Sequence, residues 1–172
     1  MVLVSLAFIF LCGCDELPFD KENVTVREFT IGSGEHYATP RLMETTEVKR
    51  VAFLAKFDES ARYAFGDASQ QADINKLMGF SDCTTHHHEN SARFGWRWLN
   101  EQLEIHAYCY VDSVRIHELV GTVDIGDENR YEITATRDAY TFFLNGEAKV
   151  TIQRAQSCEE GLNYLLYPYF GG

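Results

Sequence analysis

Six residues between positions 93 and 110 have the chemistry that a sugar ligand needs. Arg93, Arg97, Glu104, His106, Tyr108 and Tyr110 combine aromatic rings with planar charged groups. Aromatic faces meet the C–H surfaces of a sugar ring, and arginine and carboxylate groups fix its hydroxyls. A second cluster, His86-His87-His88-Glu89, brings imidazoles that zinc accepts as ligands. In a strand only His86 and His88 share a face, so a third ligand would come from His36, His106, His117 or Cys83. No HxxxH or CxxC spacing supports that, and the expectation is a polar loop or strand start with ordinary hydrogen bonds and no metal. Glu89 and Glu104 are the two carboxylates from which a glycoside hydrolase could be built. Glu104, however, has Arg97 as its expected cross-strand neighbour. No GxSxG, Gly-rich phosphate loop or ordered Ser-His-Asp set occurs, so no catalytic residue and no cofactor is assigned.

A β-hairpin over residues 90–111 must position the six candidates. Phe94, Trp96 and Trp98 alternate with Arg93, Gly95 and Arg97, the period-2 signature of a strand with two unlike faces. After the turn, Leu103, Ile105, Ala107, Cys109 and Val111 share one parity and Glu104, His106, Tyr108 and Tyr110 the other. With Asn100 and Glu101 as the turn, Trp98 faces Leu103, Trp96 faces Ile105 and Phe94 faces Ala107. Arg97 then faces Glu104, Gly95 faces His106 and Arg93 faces Tyr108. A slip of one residue would bury the arginines. Trp96 and Trp98 are thereby core anchors and not ligand contacts. The competing reading of the polar face is a solvated surface, with Arg97 and Glu104 as an ion pair worth under about 1 kcal/mol.

The remaining elements are mostly strands. Val24, Val26, Phe29 and Ile31 begin one, and residues 48–57 form another, with Val51, Phe53, Ala55 and Phe57 inward and the second face half buried at most. Residues 69–78, with Ile74, Leu77 and Met78 at helical spacing and Gly79 just beyond, predict one short surface helix. An irregular strand covers 114–123. Residues 131–136, 140–144 and 148–154 predict three antiparallel strands, the last two joined by Asn145-Gly146, a strong hairpin signal. Simple alternation across that turn puts Glu147, Lys149 and Thr151 on the core face, so either the core ends there or a bulge shifts the register. An apolar run over 162–169 closes the chain. The fold class that results is mainly β, an antiparallel sandwich of jelly-roll or concanavalin-like type.

At 172 residues the chain suits one domain, and a net charge of −11 argues against nucleic acid, whose binding requires a basic surface. Of its five cysteines, Cys12 and Cys14 lie near the N-terminus. Cys109 has core parity, and Cys83 and Cys158 are one possible pair among three cysteines whose pairing is open.

Residues 1–11 are apolar but too short to span a bilayer, and they run into Leu11-Cys12-Gly13-Cys14. This resembles the lipobox of bacterial lipoprotein precursors, although no Lys or Arg precedes Cys14. The resemblance implies a signal peptide over 1–13, a lipidated Cys14 with a tether over 14–22, and a single domain over 23–172. Acyl chains on Cys14 would anchor that domain by about 0.8 kcal/mol per buried methylene. Residues 130–150 look like paired strands of concanavalin A-like or laminin-G-like sandwiches. The stretch from Asp73 onward, with DINKLMGFSDC, NSARFGWRW and YPYFGG, resembles uncharacterised lipoproteins of Bacteroides-type bacteria, which implies a further strand beyond Gly172. Together these imply a module on the bacterial outer membrane that binds surface glycans or serves a structural role. The alternatives are a polysaccharide hydrolase and a scaffold subunit of an envelope complex. The oligomeric state is left open.

Overall fold

A computed structural model describes residues 2–9, 25–47, 49–156, 158 and 161–171. The strands among them are β1 (Val2–Ile9), β2 (Thr25–Ile31), β3 (Thr45–Thr46), β4 (Arg50–Phe57), β5 (Asn75–Ser81), β6 (Ser91–Leu99), β7 (Gln102–Val111), β8 (Val114–Val123), β9 (Glu128–Ala135), β10 (Ala139–Leu144), β11 (Glu147–Gln153) and β12 (Asn163–Leu166). They form two antiparallel sheets, ordered β11-β10-β9-β4-β1-β2 and β3-β12-β5-β6-β7-β8. One α-helix, α1 (Ala68–Gln71), and one 3-10 turn (Glu59–Ala61) accompany them among the described residues. The expected antiparallel sandwich is thus the observed architecture.

The inward residues of the two sheets make one aromatic core. Phe53 of β4 stacks on Tyr131 of β9 at 5.2 Å between ring centres, and Phe94 of β6 meets both rings edge-on. Phe57 lies against Trp96, and Phe142 against Phe94. Edge-on and offset contacts of this kind suit the ring quadrupoles and fill space between the sheets.

The β6–β7 hairpin has the register its sequence predicts. Phe94 pairs with Ala107, Trp96 with Ile105 and Trp98 with Leu103, while Arg93, Gly95 and Arg97 face Tyr108, His106 and Glu104. Asn100 and Glu101 both have positive φ, 50° and 60°, as the two-residue turn requires. The question at Asn145-Gly146 is answered by a bulge. Phe143 pairs with Ala148 but Phe142 with Val150, so Val150 and Ile152 turn inward.

The helix predicted over 69–78 is confined to Ala68–Gln71, with Asp67 capping it through a hydrogen bond from the Ser69 N–H. Residues Asn75–Ser81 form β5, a strand buried on both faces. A doubly buried strand has no alternation to read, and Ile74, Leu77 and Met78 imitate a helical stripe. Gly79 lets β5 approach β6 closely, since a Cβ there would lie 2.1 Å from the Ala92 carbonyl oxygen and 2.3 Å from the Arg93 Cα. The second face of β4 is half buried, with Ala52 and Leu54 covered, Arg50 intermediate and Lys56 exposed. Ala52 and Leu54 lie opposite Glu132 and Arg130 of β9, whose side chains bond each other, and Arg50 bonds Glu132 as well. The stems of these charged residues shield the apolar ones.

Val2–Ile9, read from the sequence as part of a leader, is paired between β2 and β4. Cys12, Cys14 and the tether lie outside the described residues. At one end the sheets are joined by a buried polar lock. Asp82, just after β5, accepts hydrogen bonds from the Tyr140 hydroxyl at 2.6 Å, from Arg154 Nε and Nη2 at 2.5 and 2.7 Å, and from the Cys83 N–H at 2.8 Å. Cys83 is joined to Cys158 in a disulfide, with Cα atoms 4.7 Å apart. Cys109 is free and buried, as its parity predicts, and burial pushes its thiol pKa up.

Candidate functional site

The outward face of β6 and β7 carries all six residues singled out from the sequence, but the fold divides them into two groups. Arg97, Glu104 and His106 form a closed cluster. Arg97 Nε donates to Glu104 Oε2 at 2.7 Å, His106 Nε2 lies 3.0 Å from the same oxygen, and Arg97 Nη1 donates to the Ala72 carbonyl at the end of α1, at 2.8 Å. This is not the solvated surface pair of the simpler reading, because the Glu104 side chain is 14 % exposed and that of His106 only 4 %. Burial works to raise the Glu104 pKa, yet hydrogen bonds from Arg97 and His106 outweigh it and hold the carboxyl below its usual range. Burial pushes His106 down against the pull of Glu104. None of the three lines the neighbouring cavity. Arg97, held by Glu104, ties the end of α1 to the hairpin.

Arg93, Tyr108 and Tyr110 line a cavity of about 740 Å³. Its other walls come from Lys76 on β5, Arg115 on β8, His87 and His88 in the β5–β6 loop, and the segments around residues 37–43 and 164–169. The last of these segments explains why the face is enclosed. After β12 the chain continues beside β5, where Lys76 N–H donates to the Tyr169 carbonyl at 2.8 Å and Tyr169 N–H to the Lys76 carbonyl at 3.0 Å. Tyr37 bridges to Tyr169 in turn, and their rings meet edge-on at 5.1 Å. The tyrosines at 37, 108, 110, 164, 167 and 169 thereby converge on one cavity from three separate parts of the chain.

Two of the cations in this cavity, Arg93 and Lys76, are desolvated, while Arg41 and Arg115 are exposed. Arg93 is 8 % exposed, and burial lowers its pKa to about 10. Its Nη2 donates to the carbonyls of Leu77 and Tyr167, while its Nε is buried with no acceptor. Lys76, also 8 % exposed, donates from Nζ to the Gly171 carbonyl at 2.6 Å. Its ammonium lies 4.9 Å from the Tyr108 ring centre and 6.0 Å from that of Tyr169, a cation–π arrangement. Burial, reinforced by Arg93, lowers the Lys76 pKa to about 8.

The histidine cluster stands at the rim. Residues 86–90 turn back on themselves, with the Glu89 and Asn90 N–H groups both donating to the His86 carbonyl. This brings all three rings together, where a strand would have paired only His86 with His88. One ring nitrogen from each lies within 4.8 Å of the others, a set of donors that suits a divalent transition metal. His87 Nδ1 is already 2.9 Å from the Tyr164 hydroxyl. Burial and the adjacent histidines lower the His87 pKa to about 4, so it is neutral at physiological pH. The remote ligands considered from sequence do not join the cluster. Cys83 is in the disulfide, and His36 Nδ1 lies 2.7 Å from the Phe170 carbonyl oxygen.

Sequence reading missed Lys76, hidden in the false helix, and the contributions of Tyr37, Arg115, Tyr164 and Tyr169. The aromatic density of Tyr167-Pro168-Tyr169-Phe170 was the available signal.

No protein-family model matches the sequence, and no curated protein matches it. The fold, in contrast, has solved relatives. The catalytic domain of an endo-1,3-β-glucanase (laminarinase) from Thermotoga petrophila RKU-1 superposes with a TM-score of 0.50 at 10 % identity, over 99 % of this chain and 67 % of that one. The laminarinase catalytic domain from Thermotoga maritima MSB8 gives 0.49 at 11 % identity over the same shares. An alginate lyase determined with dimannuronate gives 0.46 at 10 % identity, over 96 % of this chain and 82 % of that one. At these identities the likeness is one of fold.

Proposed function

We propose that this protein is a polysaccharide-binding module whose site is the cavity between the β5–β7 face and the segments that cover it. The observation that carries this reading is the convergence of six tyrosines, at 37, 108, 110, 164, 167 and 169, with Arg93 and Lys76 around about 740 Å³. Tyrosine offers a flat apolar face to sugar C–H groups and a hydroxyl to sugar oxygens, with little conformational entropy to lose. A sandwich fold similar to that of a laminarinase is consistent with such a ligand. Anchoring through Cys14 at a bacterial outer membrane belongs to the same proposal and rests on the lipobox alone.

The hydrolase alternative lacks its machinery at this site. Glycoside hydrolysis needs two carboxylates, one of them protonated at neutral pH. The cavity lining contains neither Asp nor Glu among the described residues, and Glu104 is held ionised in its own cluster. The scaffold reading calls for a broad apolar patch. Among the described residues the exposed large apolar side chains are instead distributed over positions 37, 43, 65, 114, 119 and 162, and the first two belong to the cavity wall.

Isothermal titration of the full chain with a panel of neutral and charged polysaccharides tests the reading. Saturable binding that Tyr108→Ala and Tyr110→Ala each weaken, with the circular dichroism spectrum retained, is the expected result. A folded protein that binds no member of the panel would overturn it.

A further inference from the structure

The charges around the cavity run against the composition of the chain. The protein carries a net charge of −11, yet the lining includes Arg41, Lys76, Arg93 and Arg115 and, among the described residues, no carboxylate at all. Elsewhere arginines are neutralised: Arg50 by Glu132, Arg97 by Glu104 and Arg154 by Asp82. Lys76 and Arg93 instead donate to backbone carbonyls, with Lys76 against an aromatic ring, and among the described residues no carboxylate is bonded to either, Asp73 acting on Lys76 only through its field. Carbonyl oxygens orient a cation, but they leave its net charge in place. A desolvated guanidinium without an opposing charge is unfavourable, and the cost is larger when one of its N–H groups has no acceptor, as at Arg93 Nε. A fold gains nothing in stability from placing two such cations on adjacent strands. Binding of an anion does gain from it, because the desolvation has already been met in the free protein.

We propose that the cavity selects polysaccharides bearing anionic groups, carboxylates of uronic acid units or sulfate esters, and that one such group takes the place of the missing counter-charge beside Arg93 and Lys76. This rests on the reading of the cavity as a polysaccharide site and narrows it. Arg93 would hold the anion through its planar guanidinium, Lys76 would act as a compact charge, and the tyrosines would stack on the sugar rings that flank it. The acidic remainder of the surface disfavours long unbroken contact with a polyanion, so engagement is limited to the sugar units inside the cavity.

The test uses pairs of polymers that differ in charge and share a backbone. The full chain is titrated with polygalacturonate and its fully methyl-esterified form, and with dextran sulfate and dextran. The expected result is binding of the charged member in at least one pair, with its uncharged counterpart at least about tenfold weaker, as loss of a charged hydrogen bond implies. The pair that responds separates carboxylate from sulfate recognition. Arg93→Gln is expected to abolish that preference. Because Arg93 is buried, Lys76→Met, which keeps length and apolar contact with the tyrosine rings, supplies a second variant expected to reduce it. Equal binding of charged and uncharged members would overturn the inference while leaving the polysaccharide reading intact. Absence of binding to all four polymers and to the wider neutral panel would overturn both.

Discussion

The side chain of Lys76 crosses an entire strand to reach Tyr108. Lys76 on β5 pairs with Gly95 on β6, and its ammonium lies 4.9 Å from the Tyr108 ring centre on β7, one strand further on. Arg93, two residues from Gly95, is paired with Tyr108 itself. Two cations and a tyrosine from three adjacent strands therefore share one patch of the cavity floor.

Anion binding in this patch is expected to depend on pH through Lys76. Its pKa is lowered to about 8, mainly by burial and also by Arg93 and Arg115, with Asp73 opposing. The charged form binds the anion, so affinity is high below that value and falls as pH rises through it. His87, on the rim, is lowered to about 4 by burial and its neighbouring histidines, His88 is shifted down for the same reasons, and burial shifts the Tyr108 hydroxyl up, so each is displaced away from the range in which Lys76 titrates. Titration calorimetry across this range checks it, and Lys76→Arg is expected to flatten the profile because a guanidinium stays charged.

Glu104→Gln separates the two groups on the hairpin face. The substitution weakens the hydrogen bonds from Arg97 and His106 and is expected to lower stability by about 1–3 kcal/mol, leaving polysaccharide affinity unchanged. The folded pKa of Glu104 lies below its ordinary value, so its stabilisation is complete above the unfolded carboxyl's pKa and is lost as pH falls through the folded one. The stability difference between wild type and variant, followed by urea denaturation, is thus expected to shrink in acid.

Reduction of Cys83–Cys158 is expected to cost about 4 kcal/mol on the chain-entropy view of a long closed loop. The two residues are 75 apart in sequence. Denaturation of the oxidised and the reduced protein, or of a Cys158→Ser variant, measures the difference.

A chain beginning at Cys14 lacks β1, the strand paired on one side with β2 and on the other with β4. Both neighbours are then left with unpaired backbone groups, and open edges of this kind recruit other chains. Such a chain is expected to show a lower denaturation midpoint and concentration-dependent association in sedimentation experiments. An unchanged midpoint in a monomer would mean that β2 and β4 close on each other or that another segment takes the slot.

The parts of this structure that could be read from sequence are those with local rules. Alternation from Phe94 to Trp98 and from Leu103 to Val111, with two turn residues between, determines a register because one slip would reverse both faces. The bulge opposite Phe142 and Phe143 was foreshadowed by the charge of Glu147 and Lys149. The segment Asn75–Ser81 was misread because a strand buried on both faces loses its period. The cavity was only half legible. Arg93, Tyr108 and Tyr110 declared themselves on one hairpin, whereas Lys76 and Tyr169 meet through backbone pairing between distant parts of the chain, for which no local pattern exists.

The lock at Asp82 has a kinetic consequence. The loop that carries His87 and His88 begins at Asp82, which is bonded to Tyr140 and Arg154 of the opposite sheet, and is held a residue later by the disulfide. That wall of the cavity is therefore anchored at its base before a ligand arrives. Association there is expected to be a single step, with an observed rate that rises linearly with ligand concentration and shows no plateau from a slow closing motion.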